Sequence, residues 1–216
     1  MREIEFGNIK TNTDLGLRIS KLKISNPDPK TMFIDIPFSD GALDLTESLT
    51  GEVEYKNRSF EAEFRMYMDE DYQSKLSDIN NLLHGQRIEI RTPERVGHYL
   101  KGRCFVDHVL ANHYWIDLVV VAECEPYYYK DDLTIHTVSI NSTGTANVNL
   151  TNSRKRVIPT IINSAEVTIN FNGKTTVVSA GSHQFTNIIL TEGDNPITIS
   201  GAQGTTVRFE YQEGAL

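Results

Sequence analysis

Three groups of residues in this sequence have types and spacings that could do chemistry. The first lies in "FSDGALDLTESLTGEVEYKNRSFEAEF", residues 38 to 64, which sets Asp40, Asp44 and Glu47 among Ser and Thr before reaching Tyr55 and Arg58. Clustered carboxylates suit a hard cation. Read as an EF-hand loop from Asp40, however, the third position is Ala42 and the sixth is Leu45, where an oxygen ligand and a glycine are needed. The metal reading fails, and Asp40-Gly41 reads as a turn with Asp44 and Thr46 placed to bond nearby backbone. The second group is "NGKT", residues 172 to 175, the ending of a phosphate-binding P-loop. That pattern needs a glycine at position 168, which is Thr, and a helix where "TTVV" continues as strand. The third group is Cys104, His108, His113 and Cys124. Structural zinc sites favour tight Cys-x₂₋₄-Cys pairs, and none is present. Buried cysteines and turn-proximal histidines are the better account.

Nucleophilic catalysis finds no support either. There is no Gly-x-Ser-x-Gly elbow and no His-Glu-x-x-His helix. Glu61 and Glu63 share one strand face, which suits a solvated or interface surface better than an acid/base pair. Tyr127, Tyr128 and Tyr129 could stack on a sugar or a base, but they fit equally a domain-boundary anchor. The basic patch "NSRKR" (152 to 156) reads as a solvated loop. No catalytic, cofactor or metal residue is assigned. A hydrolase with an unrecognised site is the weakest of the readings carried.

The elements that must position these residues fall into two compositions. Up to about residue 125 short strands alternate, with Ile4/Phe6 and Leu17/Ile19 each on one side. "TMFIDIPF" reads as a strand ended by Pro37 after the proline-punctuated loop "NPDPK". Phe60, Ala62, Phe64, Met66 and Met68 are spaced by two, the mark of a half-buried strand. One helix is expected in "DEDYQSKLSDINNLLHG", where Tyr72, Leu76, Ile79 and Leu83 form a single face and Gly85 sits at the C′ position. Strand returns in "QRIEIR", followed by a hairpin about Ala111-Asn112. "PYYYKDD" (126 to 132) marks a boundary. The remaining 83 residues hold nine Asn and fourteen Thr and lack any helical period, so they read as a β-sandwich. Asn172-Gly173 is its clearest hairpin turn. The expected fold is mainly β / α+β: an antiparallel sheet domain with one helix over 1–130, then a β-sandwich over 134–216.

Composition bounds the function. The chain has 216 residues and a net charge of −8. Residues 1 to 133 carry 24 acids against 16 Lys/Arg, while residues 134 to 216 carry five of each, so all of the net charge lies in the first domain. Duplex DNA repels such a surface, which excludes a dedicated nucleic-acid binder. No secretory signal and no apolar run near ~20 residues is present, so a soluble protein made in a cytoplasm is expected. Two cysteines fit a reducing compartment better than a disulfide framework.

The order of these features resembles the distal tail (Dit) proteins of long-tailed phages that infect Gram-positive bacteria. The resemblance rests on Pro37, Asp40-Gly41, Leu43-Asp44-Leu45, Tyr55, Asn57-Arg58 and the strand that follows, with the helix and "EPYYYK" in the places that family puts a helix and the end of its first domain. The second half matches a galectin-like domain by type. The resemblance implies a structural virion protein of the baseplate hub, without enzymatic activity or cofactor. It implies a hexameric ring built by the first domains, in contact with the tail tube, tape-measure and tail-tip proteins, with DNA crossing its lumen and no insertion into a membrane. The alternative is a carbohydrate-binding module for host glycans, weakened because the single Trp, Trp115, lies in the first domain. Asp40, Asp44, Glu47, Tyr55 and Arg58 are the expected oligomer-interface residues, with the acids meeting a basic partner such as Arg58 across or near the ring interface.

Overall fold

The computed structural model describes residues 2–111 and 114–216, with backbone alone for residues 108, 109 and 111. The chain divides into two compact units, one running to Tyr128 with Leu216, the other spanning Tyr129–Ala215.

In the first unit the strands are β1 (Glu5–Phe6), β2 (Ile9–Lys10), β3 (Arg18–Ile24), β4 (Phe33–Asp35), β5 (Ala42–Asp44) and β6 (Arg58–Tyr67). Helix α1 (Tyr72–Leu83) follows, then β7 (Arg87–Arg91), β8 (His98–Ala111) and β9 (Trp115–Cys124). Seven of these strands form one sheet in the order β2-β1-β7-β8-β9-β6-β3, while β4 and β5 pair only with each other. The long central strands are in register from Arg58 opposite Cys124 to Tyr67 opposite Trp115. Period-two alternation sends Phe60, Ala62, Phe64 and Met66 of β6 into the core with Ile116, Leu118, Val120 and Ala122 of β9. Phe6 meets Phe60 edge-on at 6.0 Å between ring centres and Phe64 at 6.3 Å. Helix α1 closes this side, burying Ile79 and Leu83 with Tyr72 and Leu76 partly covered. Its end is set by Gly85, whose φ of +78° takes the left-handed conformation that stops a helix.

Only one face of this sheet is buried. The other carries Ser59, Glu61, Glu63, Arg65 and Tyr67 from β6 beside Asp117, Val119, Val121 and Glu123 from β9, as antiparallel sheets with one solvated face do. The chain reaches the core with Leu17, just before β3, and Ile19 at the strand's start, but with Leu22 and Ile24 at its end. A β-bulge between Ile19 and Lys21 accounts for the change of parity, with the Ser20 hydroxyl donating to the Glu63 carbonyl at 3.0 Å.

The second unit begins within β10 (Tyr128–Lys130), which pairs with β19 (Gly214–Ala215). Between them lie β11 (Thr134–Ser139), β12 (Thr145–Asn152), β13 (Thr160–Asn163), β14 (Val167–Phe171), β15 (Lys174–Val178), β16 (Gly181–His183), β17 (Gly193–Gly201) and β18 (Thr206–Tyr211). They form two four-stranded antiparallel sheets, β11-β18-β13-β16 and β12-β17-β14-β15, around a core of Ile161, Ile169, Ile197, Ile199, Val207 and Phe209. The Asn172-Gly173 hairpin has both residues at positive φ, 50° and 74°, as a type I′ turn requires. Three buried asparagines tie loops to the sandwich: the Asn152 amide donates to the Lys155 carbonyl, Asn163 to that of Ala165 and Asn195 to that of Leu150. Both units are mainly β, and the first adds the expected helix.

Candidate assembly surface

The acidic loop of residues 38 to 64 belongs in its first part to an arm, residues 28 to 56, whose two strands pair apart from the main sheet. Its root is closed by a bridge between Pro29 and Tyr55, with Lys30 N donating to Glu54 O at 2.8 Å and Lys56 N to Asp28 O at 2.8 Å. Farther out, β4 and β5 pair Phe33 with Asp44, Ile34 with Leu43 and Asp35 with Ala42. Beyond them Ser39 N donates to Ile36 O at 3.2 Å and closes a four-residue turn over Pro37 and Phe38. A two-stranded ribbon without a sheet or helix behind it is marginal in water. Here it also carries exposed apolar side chains: Met32, Phe33, Ile34, Ile36, Phe38, Leu43 and Leu49 all stand outside the core.

The acids decorate this arm. Asp40, Asp44 and Glu47 are all exposed. Asp44 Oδ1 accepts from Thr46 N at 2.9 Å, an Asx-type turn, and the hydrogen bonds from Thr46 hold the Asp44 carboxyl below its usual pKa. Asp44 and Glu47 line an open cleft of about 640 Å³ with Pro29, Thr31, Ser48 and Val53. Among the described residues no group of three or more His, Cys, Asp or Glu side chains is placed to hold a metal ion.

Tyr55 and Arg58 lie elsewhere. Tyr55 sits at the root and packs edge-on against Tyr127 at 6.2 Å. Arg58 is only 2% exposed, and its guanidinium lies over the Tyr128 ring at 4.4 Å. Arg95 lies over the same ring at 4.2 Å. Sequence reasoning brought Arg58 to the acids of the loop; the structure turns it inward, away from solvent. No local signal marked this, because a charged residue opening an alternating strand reads as surface unless the packing at the strand's end is known.

The other chemical candidates resolve into structure. Cys104 and Cys124 are fully buried and unbridged, and burial pushes both thiols up to about 12. The side chain of His108, along with Asn112 and His113, lies outside the described residues. "NGKT" is the turn of a hairpin and the start of its second strand, β15, as expected. Phe171, Phe209 and Tyr211, the aromatics beyond the linker considered for a sugar platform, are all core residues at 4%, 0% and 2% exposure. The exposed aromatics lie in the first unit. Tyr67 and Trp115 line a cleft of about 270 Å³ with Arg18, Ile19, Ser20 and Met66, across the adjoining ends of β3, β6 and β9. Arg18 lies over the Tyr67 ring at 5.6 Å and Arg65 over Trp115 at 4.8 Å.

One solved structure aligns with the whole chain at a TM-score of 0.68, covering 98% of this chain and 99% of its own, at 12% sequence identity. It is the Dit (gp 19.1) protein of phage SPP1, described as a paradigm of the hub adsorption apparatus in phages that infect Gram-positive bacteria. This chain has the Dit fold. The likeness runs through both units, from the one-helix antiparallel sheet to the sandwich, and agrees with the resemblance carried by residues 37 to 64. No protein-family model matches the chain, and no curated protein matches it.

Proposed function

We propose that this chain is a structural protein of a phage tail tip, the distal tail component of a virion assembled in the cytoplasm of a Gram-positive host. In this reading the first units close into a hexameric ring, and the second units project from it. The ring joins the tail tube to the tail-tip proteins, contacts the tape-measure protein and leaves a lumen for DNA. The observation that carries the reading is the full-length fold likeness to the SPP1 hub protein, which includes both units in one order.

The arm supports it. A closed ring needs two different surfaces on each copy that fit one another. An arm with exposed Phe, Ile and Leu side chains is a surface that a lone soluble protomer has no use for. Asp40, Asp44 and Glu47 then act at the contact between copies, while Tyr55 and Arg58 hold the root and the strand from which the arm leaves. No step in this role transforms a substrate.

The test is size-exclusion chromatography with light scattering and negative-stain microscopy on the purified protein, alone and mixed with a tail-tip protein of the same phage. Closed rings of about six copies are expected. A species that stays a single protomer in both conditions overturns the reading.

A further inference from the structure

The arm and the β3 edge of the first unit are complementary in charge, shape and backbone. Residues 28 to 54 hold Asp28, Asp35, Asp40, Asp44, Glu47, Glu52 and Glu54 against Lys30 alone. Residues 15 to 27 hold Arg18, Lys21 and Lys23 and no acid. Strand β3 ends its sheet, so its outer backbone groups face no neighbouring strand, and β4 and β5 likewise pair only with each other. From that edge inward, across the adjoining ends of β3, β6 and β9, lies the 270 Å³ cleft of Tyr67, Trp115, Met66 and Arg18. It is smaller than the roughly 300–1,000 Å³ of small-molecule sites, and of a size to take one large side chain.

Phe38 supplies such a side chain. It is fully exposed at the arm's tip and has a φ of +65°. The turn that Ser39 N closes onto Ile36 O has Pro37 second and a positive φ third, the arrangement of a type II turn, in which the third place favours glycine. A bulky residue there is strained relative to a relaxed backbone. Folding of the monomer gains nothing visible in return, since the ring touches no core.

We infer that the arm of one copy docks on the β3 edge of the next, with Phe38 seated between Tyr67 and Trp115 and the arm's acids facing Arg18 and Lys23, since Lys21 is paired with Glu61 and Glu63 of its own sheet. This rests on the ring reading above and names the two surfaces that would close it. A second copy is the occupant because the contact is heterologous: an acidic arm and a basic edge on each chain propagate head to tail until they close. The bulge at Ser20 opens the edge where the tip enters, and Ser20 lines the cleft.

Phe38→Gly separates assembly from folding. The turn accepts glycine, so the thermal midpoint of the dissociated protein should hold or rise, while self-association weakens about 30-fold, the loss expected of a buried aromatic anchor. Charge reversal supplies the second arm of the test. Asp40→Lys with Asp44→Lys in one chain, and Arg18→Glu with Lys23→Glu in another, should each remain dissociated alone at low salt. Mixed in equal amounts they should assemble, because each variant's arm then meets an edge of opposite sign. Wild-type association in Phe38→Gly, or a mixture that stays dissociated, overturns the docking and leaves the ring reading standing if wild-type rings are seen. A wild-type protein that never associates removes both.

Discussion

The guanidinium carbon of Arg58 lies 4.4 Å from the centre of the Tyr128 ring, in a residue that is 2% exposed, and its Nε and Nη2 have no hydrogen-bond partner. Burial lowers the Arg58 pKa from its ordinary value, and the Tyr128 phenol works against that shift. Stacking over the ring recovers part of the desolvation, on the order of 2 kcal/mol for a buried cation–π pair. The unmet donors do not recover theirs. Arg58 therefore fixes the orientation of Tyr128 at a cost in stability.

Replacing that cation by an apolar chain of similar length should relieve the cost. Arg58→Met is expected to raise the stability of the first unit by about 1 kcal/mol in urea unfolding. A loss of about 2 kcal/mol or more would mean that the stack outweighs the unmet donors.

Glu213 gives the second unit an acid-sensitive tie. The carboxylate is buried at 6% exposure and accepts from Thr134 Oγ1 at 2.6 Å and Ser153 Oγ at 2.6 Å, with Lys130 Nζ as a third donor. Burial pushes its pKa up, but the hydrogen bonds from Lys130, Ser153 and Thr134 outweigh it and leave the value lowered. A depressed folded-state value means the stabilisation is present above the unfolded pKa and disappears as pH falls through the folded one. Glu213→Gln should cost about 1–3 kcal/mol at neutral pH and flatten the loss of stability below about pH 4.5. Denaturation curves of the second unit's transition across that range would show it.

Gly102 of β8 is held by contact with β9. A Cβ there would fall 2.5 Å from Cys124 Sγ and 2.8 Å from the Glu123 carbonyl, and the backbone oxygen cannot turn aside. Gly102→Ala is expected to destabilise the first unit by about 1–3 kcal/mol through overpacking, read from the shift in its unfolding midpoint. A midpoint within experimental error of wild type would show that the β8–β9 pair can separate freely.

Both thiols are sealed in the same sheet, with pKa values near 12. At neutral pH a thiol-specific reagent should modify Cys104 and Cys124 only as fast as the first unit opens. Labelling that runs at the rate of a free thiol in native buffer would contradict this.

Asp44→Asn tests charge apart from turn geometry. The amide oxygen can still accept from Thr46 N, so the arm should keep its shape. Self-association should weaken by no more than about fivefold, the loss of one exposed charge pair. Asp44→Ala, which also removes the acceptor, should weaken it further in the same light-scattering titration.

The parts of this fold written in local pattern were legible in the sequence. The Phe60-to-Met66 alternation, the Tyr72-Leu76-Ile79-Leu83 face and the Asn172-Gly173 turn each depend on neighbours a few residues away, and each is found as read. What local pattern could not show depends on what lies opposite. "TMFIDIPF" holds the expected strand, β4, yet Phe33, Ile34 and Ile36 are exposed, since β4 pairs only with β5. Arg58 has the composition of a surface residue, yet the Tyr128 ring and the end of β9 enclose it. Of the five residues expected at an interface, the three acids share the arm, Tyr55 roots it, and Arg58 belongs to the interior.

The serine at position 20 has a consequence larger than its size. Without it the border of the sheet would read Arg18, Ile19, Lys21, Leu22, Lys23, Ile24, an unbroken two-residue rhythm. Straight borders of that kind are templates on which like chains stack into fibres without end. Ser20 breaks that rhythm, and an irregular residue of this kind is one device by which an open sheet edge is kept from pairing with like chains.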